Sequence, residues 1–204
     1  MTRIANPKGR PYRSVLREQQ AEETRARIID AAIRVMAGGI ASLSIPDVAR
    51  EAGVSVPTVY RHFGTKRDLL DAIYPHLASR AGIGRIDVPA SVEEFREMVR
   101  NVFGKLESLG EVARAAMSSM ASDEARRMQM PARQAMSRQF VATVMPDGSS
   151  TDRERLARLL VVLTSSSGMR MWRDQQGVSV DTAADDIQWL IRKVLIASEQ
   201  GTNG

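Results

Sequence analysis

A chain of 204 residues is long enough to bury a self-sufficient hydrophobic core. It has no cysteine and only two histidines, His62 and His76, which excludes disulfides and thiolate sites and leaves histidine-based triads and His-rich metal clusters nearly out of reach. The net charge of +5 is unevenly placed: residues 1 to 82 hold 13 Lys+Arg against 8 Asp+Glu, whereas residues 83 to 204 hold 16 against 16.

The excess begins at the N-terminus. Arg3, Lys8, Arg10, Arg13 and Arg17 all precede the first acidic residue, Glu18, so residues 1–20 read as a basic arm that follows phosphates or a groove, or as a solvated tail. No apolar run follows these charges, and nothing approaches the roughly 18 uninterrupted apolar residues of a membrane span. A cytoplasmic protein with no membrane partner is expected.

Helical periodicity dominates and period-2 alternation is nearly absent, which predicts an all-α fold of about nine helices. In residues 22 to 37, Ile28, Ile29, Ala32, Ile33, Val35 and Met36 form a broad apolar stripe that ends at Gly38-Gly39. Ser44-Ile45-Pro46-Asp47 opens a short helix with a capping serine, a proline in the first turn and an acid at the positive end. Ser55-Val56-Pro57-Thr58 repeats that start beyond Gly53-Val54, so two short helices flank a tight glycine-containing turn. Thr65-Lys66-Arg67-Asp68 caps a fourth helix carrying Leu69, Leu70, Ile73 and Leu77. Residues 81 to 90, with Gly82, Gly84 and Pro89, read as a connection, and no lysine follows these glycines at phosphate-loop spacing. The boundaries expected are 1–20 for the arm, 21–81 for a three-helix helix-turn-helix head and 82–204 for a helical bundle body.

In the body, Ser91-Val92-Glu93-Glu94 opens a helix with Phe95, Val99, Val102, Phe103 and Leu106 on one face, and a short helix is expected around 111 to 119. Ser122-Asp123-Glu124 starts another that Pro131 should kink or break. Thr151-Asp152-Arg153-Glu154 reads as a capping box for one long helix through Leu156, Leu159, Leu160, Leu163, Met169 and Trp172. Ser179 caps the last helix, whose apolar face is Ile187, Leu190, Ile191, Val194 and Leu195.

An α-helix that reads a major groove must be polar outward and pinned from behind. Residues 55 to 63 meet this requirement, because Val59 and Phe63 sit four apart on an inward face and leave Ser55, Val56, Pro57, Thr58, Tyr60, Arg61 and His62 outward. Ser44 and Lys66 bring helix starts to the duplex edges.

The run from Ser44-Ile45-Pro46-Asp47 through Ala52-Gly53-Val54-Ser55 and Thr58-Val59-Tyr60-Arg61-His62-Phe63 to Gly64-Thr65-Lys66-Arg67-Asp68-Leu69-Leu70 resembles the signature of the TetR/AcrR family. The likeness spans about 60 residues; the body resembles the family only in helix count and in Gly177-Val178-Ser179 before the last helix. The resemblance implies phosphate contacts from Ser44, Tyr60 and Lys66, and base contacts from residues 55 to 58, with Arg61 or His62 assisting. It also implies core roles for Val48, Ala49, Val54, Val59 and Phe63. Pro46 departs from the pattern, since many relatives carry a long polar residue there and proline cannot hydrogen-bond a base.

The function implied is a transcriptional regulator acting on a double-stranded DNA operator as a homodimer. The expected form is a repressor released from a palindrome by a small apolar or amphipathic effector; the alternative is a regulator or architectural protein without ligand control. Met98, Phe103, Met117, Met120, Met136, Phe140 and Met169 are candidates to line an effector pocket, or are ordinary core. Arg100, Arg114, Arg126, Arg127, Arg133 and Arg138 hint at an anionic effector or are surface charge. Leu156, Leu160, Leu163, Trp172, Trp189 and Val194 are candidates for a dimer face or the core behind it. No catalytic residue, metal site or cofactor is expected.

Overall fold

A computed structural model describes residues 11–39, 42–120 and 122–201. Within them the chain forms ten α-helices and no strand, in agreement with the all-α reading. None of these helices is long and apolar enough to cross a membrane.

The head is built from α1 (Pro11–Ala37), α2 (Ile45–Ala52), α3 (Val56–Phe63) and α4 (Lys66–Arg80). Ile28, Ile29, Ala32, Ile33 and Met36 of α1 meet Val48 and Ala49 of α2, Val59 and Phe63 of α3, and Leu69, Leu70, Ile73 and Leu77 of α4 in one buried cluster. The α1 helix starts seventeen residues before Ile28, the first residue of the apolar stripe, so Arg17 lies on helical surface. Residues 15 to 23 are exposed, and that stretch is rich in Arg, Glu, Gln and Ala, which favour a helix without burying anything. Arg3, Lys8 and Arg10 fall outside the described residues. Asp30 ties α1 to α4, accepting from His76 Nε2 at 3.1 Å and from Arg80 at 2.8 Å.

The body comprises α5 (Val92–Ser108), α6 (Glu111–Ser118), α7 (Ser122–Val144), α8 (Ser150–Leu163), α9 (Ser166–Arg170), a π-helical turn (Met171–Gln175) and α10 (Val180–Gly201). Its core gathers Phe95, Val99 and Phe103 of α5 with Phe140 and Val141 of α7, Leu156 and Leu160 of α8, and Ala183, Ala184, Ile187 and Ile191 of α10. Phe95 and Phe140 stack with ring centroids 4.3 Å apart. The α6 helix packs on α1 and α4 packs on α7, so the head rests directly on the body.

Three expectations are corrected here. Pro131 lies inside α7 without breaking it; it is exposed, and the helix runs on to Val144. The helix expected through Trp172 stops at Leu163, because Ser165 caps a new start and Gly168 crosses the preceding chain so closely that a Cβ would lie 2.6 Å from the carbonyl oxygens of Val162 and Leu163. The cap of α8 is Ser149, whose Oγ accepts from the Asp152 amide at 3.1 Å, and not Thr151.

Candidate nucleic-acid interface

Two local devices set the crossing of α2 and α3. Ser44 and Ser55 cap the two helices, accepting from the backbone amides of Asp47 at 3.5 Å and Thr58 at 3.3 Å, and each helix has a proline in its first turn. Between them Gly53 adopts φ +65°, ψ +36°, a left-handed conformation that turns the chain while its amide closes onto Arg50 O at 3.2 Å. Gly64 then ends α3, and Thr65 with Asp68 forms a reciprocal capping box that places Lys66 in the first turn of α4.

The α3 helix is seated by Val59 and Phe63, which are 1% and 4% exposed. Opposite them Tyr60 is 46% exposed, and Ser55, Pro57 and Arg61 are also exposed. Thr58 is half-buried, with its Oγ1 2.9 Å from Ser55 Oγ. Val56 is half-buried and packs against the head core, so it presents less surface outward than the sequence reading assigned to it. Ser44 and Lys66 are half-buried at the starts of α2 and α4. His62 is half-buried; burial first, then the neighbouring charges of Arg61 and Arg25, hold its imidazole below the usual value, with Glu22 opposing. These surroundings favour the neutral ring.

Sequence reasoning missed Arg25. Its guanidinium stacks over the Phe63 ring at 4.4 Å, so α1 braces α3 from the side. Nothing in the local pattern links positions 25 and 63; only the tertiary crossing does.

The pocket and dimer candidates distribute differently from their expected grouping. Phe140 and Phe103 are core, Met98 and Met136 are half-buried, and Met120 is 70% exposed and lines nothing. Met117 and Met169 share a cleft with Arg114, Ser166, Arg170 and Arg173, and Phe103 and Met169 share its neighbour with Glu107, Trp172 and Val178. Leu156 and Leu160 are each 1% exposed, in the subunit's own core, the second of the two places expected for them. Leu163, Trp172 and Val194 are half-buried, the Trp172 indole N–H donating to Leu163 O at 3.3 Å. On α8 and α10 the exposed large apolar side chains are Leu159 and Val162 of the former and Trp189 and Ile196 of the latter.

A short helix held from behind, crossing a second short helix through a glycine turn and mounted on a helical body, defines a helix-turn-helix protein. Residues 28–73 match the model of "Bacterial regulatory proteins, tetR family". The head of the chain thus carries the helix-turn-helix of the TetR family. The chain is 48% identical over 62 residues to the HTH-type transcriptional regulator SrpR of Pseudomonas putida, covering 30% of this chain and 28% of that protein. It is 31% identical over 121 residues to the HTH-type transcriptional regulator AcrR of Shigella flexneri, covering 47% and 55%, and 39% identical over 61 residues to TtgR of Pseudomonas putida, covering 29% of each. The chain thus matches about half or less of the length of these relatives.

Proposed function

We propose that the chain is a sequence-specific DNA-binding regulator that acts as a homodimer, represses from a palindromic operator and is released by a small effector. The observation that carries this reading is the seating of α3: Val59 and Phe63 inward, with Ser55, Pro57, Thr58, Tyr60 and Arg61 on the side facing away from the core. A helix held in this way presents base-contacting side chains from its N-terminal half while the starts of α2 and α4 meet phosphates. One eight-residue helix spans few base pairs, so two copies about 34 Å apart are needed to read a useful site. Leu159, Val162, Trp189 and Ile196 supply apolar surface for that pairing. Ser44, Tyr60 and Lys66 position the duplex; Thr58 with Ser55, assisted by Arg61 or His62, specifies it.

The reading is tested by measuring duplex affinity against salt concentration. Tyr60→Ala and Lys66→Ala weaken binding to every sequence and lower the salt slope, each by about one phosphate contact for Lys66 or less for Tyr60, whereas Thr58→Ala changes which sequence a random pool yields. Unchanged sequence selection together with unchanged salt slopes would overturn it.

A further inference from the structure

Residues 15 to 23 of α1 are all exposed, more than two turns of helix with no side covered by the head. Even the apolar Val15 and Leu16 are 49% and 39% exposed. Such a stretch loses conformational entropy without core burial to offset it, which points to a partner outside the subunit. It leaves the head beside the C-terminal end of α3. Arg25, at its inner end, stacks over Phe63 at 4.4 Å, and the charge of Glu22 acts on His62. Along the helix axis Arg17 lies about 12 Å before Arg25, and Arg13 about 18 Å.

Charge on this stretch is segregated. Arg13, Arg17, Gln20 and Thr24 recur at intervals of four, three and four, a single row of the helix with no acid in it. Glu18 and Glu22 fall on a different row, the one that runs at intervals of four and three to Arg25, and Glu23 lies off both. Toward the N-terminus no acid offsets the cations, since Arg3, Lys8, Arg10, Arg13 and Arg17 all precede Glu18. Among the described residues no carboxylate lies within ion-pair distance of Arg17. Three other arginines of the head are paired: Arg34 with Glu51 at 2.6 Å, Arg50 with Asp47 at 2.5 Å and Arg80 with Asp30 at 2.8 Å.

We propose that this uncovered part of α1 is a second duplex contact, its Arg13 and Arg17 row lying on the phosphates that adjoin the groove entered by α3. The surface is continuous with that of α3 through Arg25 and Glu22, and its charge complements a duplex that carries one phosphate per about 1.7 Å of axis. The major groove is about 12 Å wide, so cations 12–18 Å beyond the Phe63 contact reach the phosphates at its edge rather than the bases that α3 reads. Guanidinium groups suit phosphate, and phosphate carries no sequence, so the contact strengthens binding without selecting the site. The inference rests on the regulator reading and extends its DNA surface from the helix-turn-helix to α1.

The test compares the full chain with its Arg13→Gln, Arg17→Gln double variant on an enriched palindrome and on a scrambled duplex, titrated between about 50 and 200 mM salt. The double variant binds both duplexes at least tenfold more weakly, and its salt slope falls by about two to four per dimer, each phosphate contact contributing about 0.9. The sequence it enriches from a random pool and its melting temperature stay those of the wild type. A charge-matched variant of the body, Arg127→Gln with Arg138→Gln, both exposed on α7, keeps the wild-type affinity and slope. Unchanged slopes in the double variant, or an equal loss in the body variant, would defeat the contact. So would a lowered melting temperature, which reassigns the two arginines to the fold, or dissociation into monomers by sedimentation, which assigns the stretch to a second copy. Sequence selection by the wild type with no effect of the double variant defeats the α1 contact alone; a lowered slope with no sequence preference in the wild type defeats the regulator reading alone.

Discussion

Gly53 and Gly64 both have φ +65°, yet their replacement by alanine should not cost the same. At Gly53 ψ is +36°, within the left-handed well, and a Cβ there would meet no atom within 4 Å. The penalty is conformational alone, about 1–2 kcal/mol. At Gly64 ψ is −59°, outside that well, so the strain itself is about 1–3 kcal/mol. A Cβ would also lie 3.2 Å from Asp68 Oδ2, the oxygen that accepts from Thr65 N at 3.0 Å and from Thr65 Oγ1 at 2.7 Å. Moving that carboxylate weakens the cap of α4, typically worth about 1 kcal/mol. For a chain of this size each kcal/mol shifts the melting temperature by about 2–4 °C. Gly53→Ala should therefore melt roughly 2–8 °C lower, Gly53→Asn less, and Gly64→Ala lower than either; circular dichroism melts of the three variants measure this. A Gly64→Ala protein that melts with or above Gly53→Ala would refute the argument that ψ and the Asp68 contact set the difference.

Phe63→Ala removes a 4% exposed ring that also carries Arg25, and should cost about 3–5 kcal/mol in denaturant melts, with duplex affinity falling as α3 loses its seat. Val162→Glu with Trp189→Glu places charge on the outward apolar surface of α8 and α10 and should give monomers by sedimentation, with the helical content unchanged. Because the folded state holds His62 below 6.5, the unfolded state binds its proton first as the pH falls: the contribution to stability is complete above pH 6.5 and is lost as the pH drops through the lower folded value. His62→Gln should flatten that part of the stability profile, measured by urea melts between pH 7.5 and 5.

The head was legible because its signals are local. Ser44, Ser55 and Thr65 each cap within three residues, and the four-residue spacing of Val59 and Phe63 is enough to orient α3. The body was read less well for physical reasons that can be named. Leu156, Leu159, Leu160 and Leu163 share one α8 periodicity, but only packing against α7 and α10 decides that Leu156 and Leu160 turn inward and Leu159 outward. The break at Thr164–Ser165 depends on a close crossing at Gly168 rather than on any strong local breaker. Tyr74 and Arg126 are far apart in sequence and neither marks the other; the packing of α4 on α7 brings them together. Conversely, methionines scattered at helical spacing suggested a shared pocket that the fold distributes between core, cleft and surface.

The most direct measurement of the central claim is the affinity of the full chain for a palindrome enriched from a random duplex pool, compared with a scrambled duplex of the same composition at about 150 mM salt. Outward-facing Thr58, Tyr60 and Arg61 on a rigidly seated α3 lead to a preference of at least 10³-fold, with two subunits bound per palindrome. Equal affinity for the two duplexes, or failure of the pool to enrich any sequence, would contradict it.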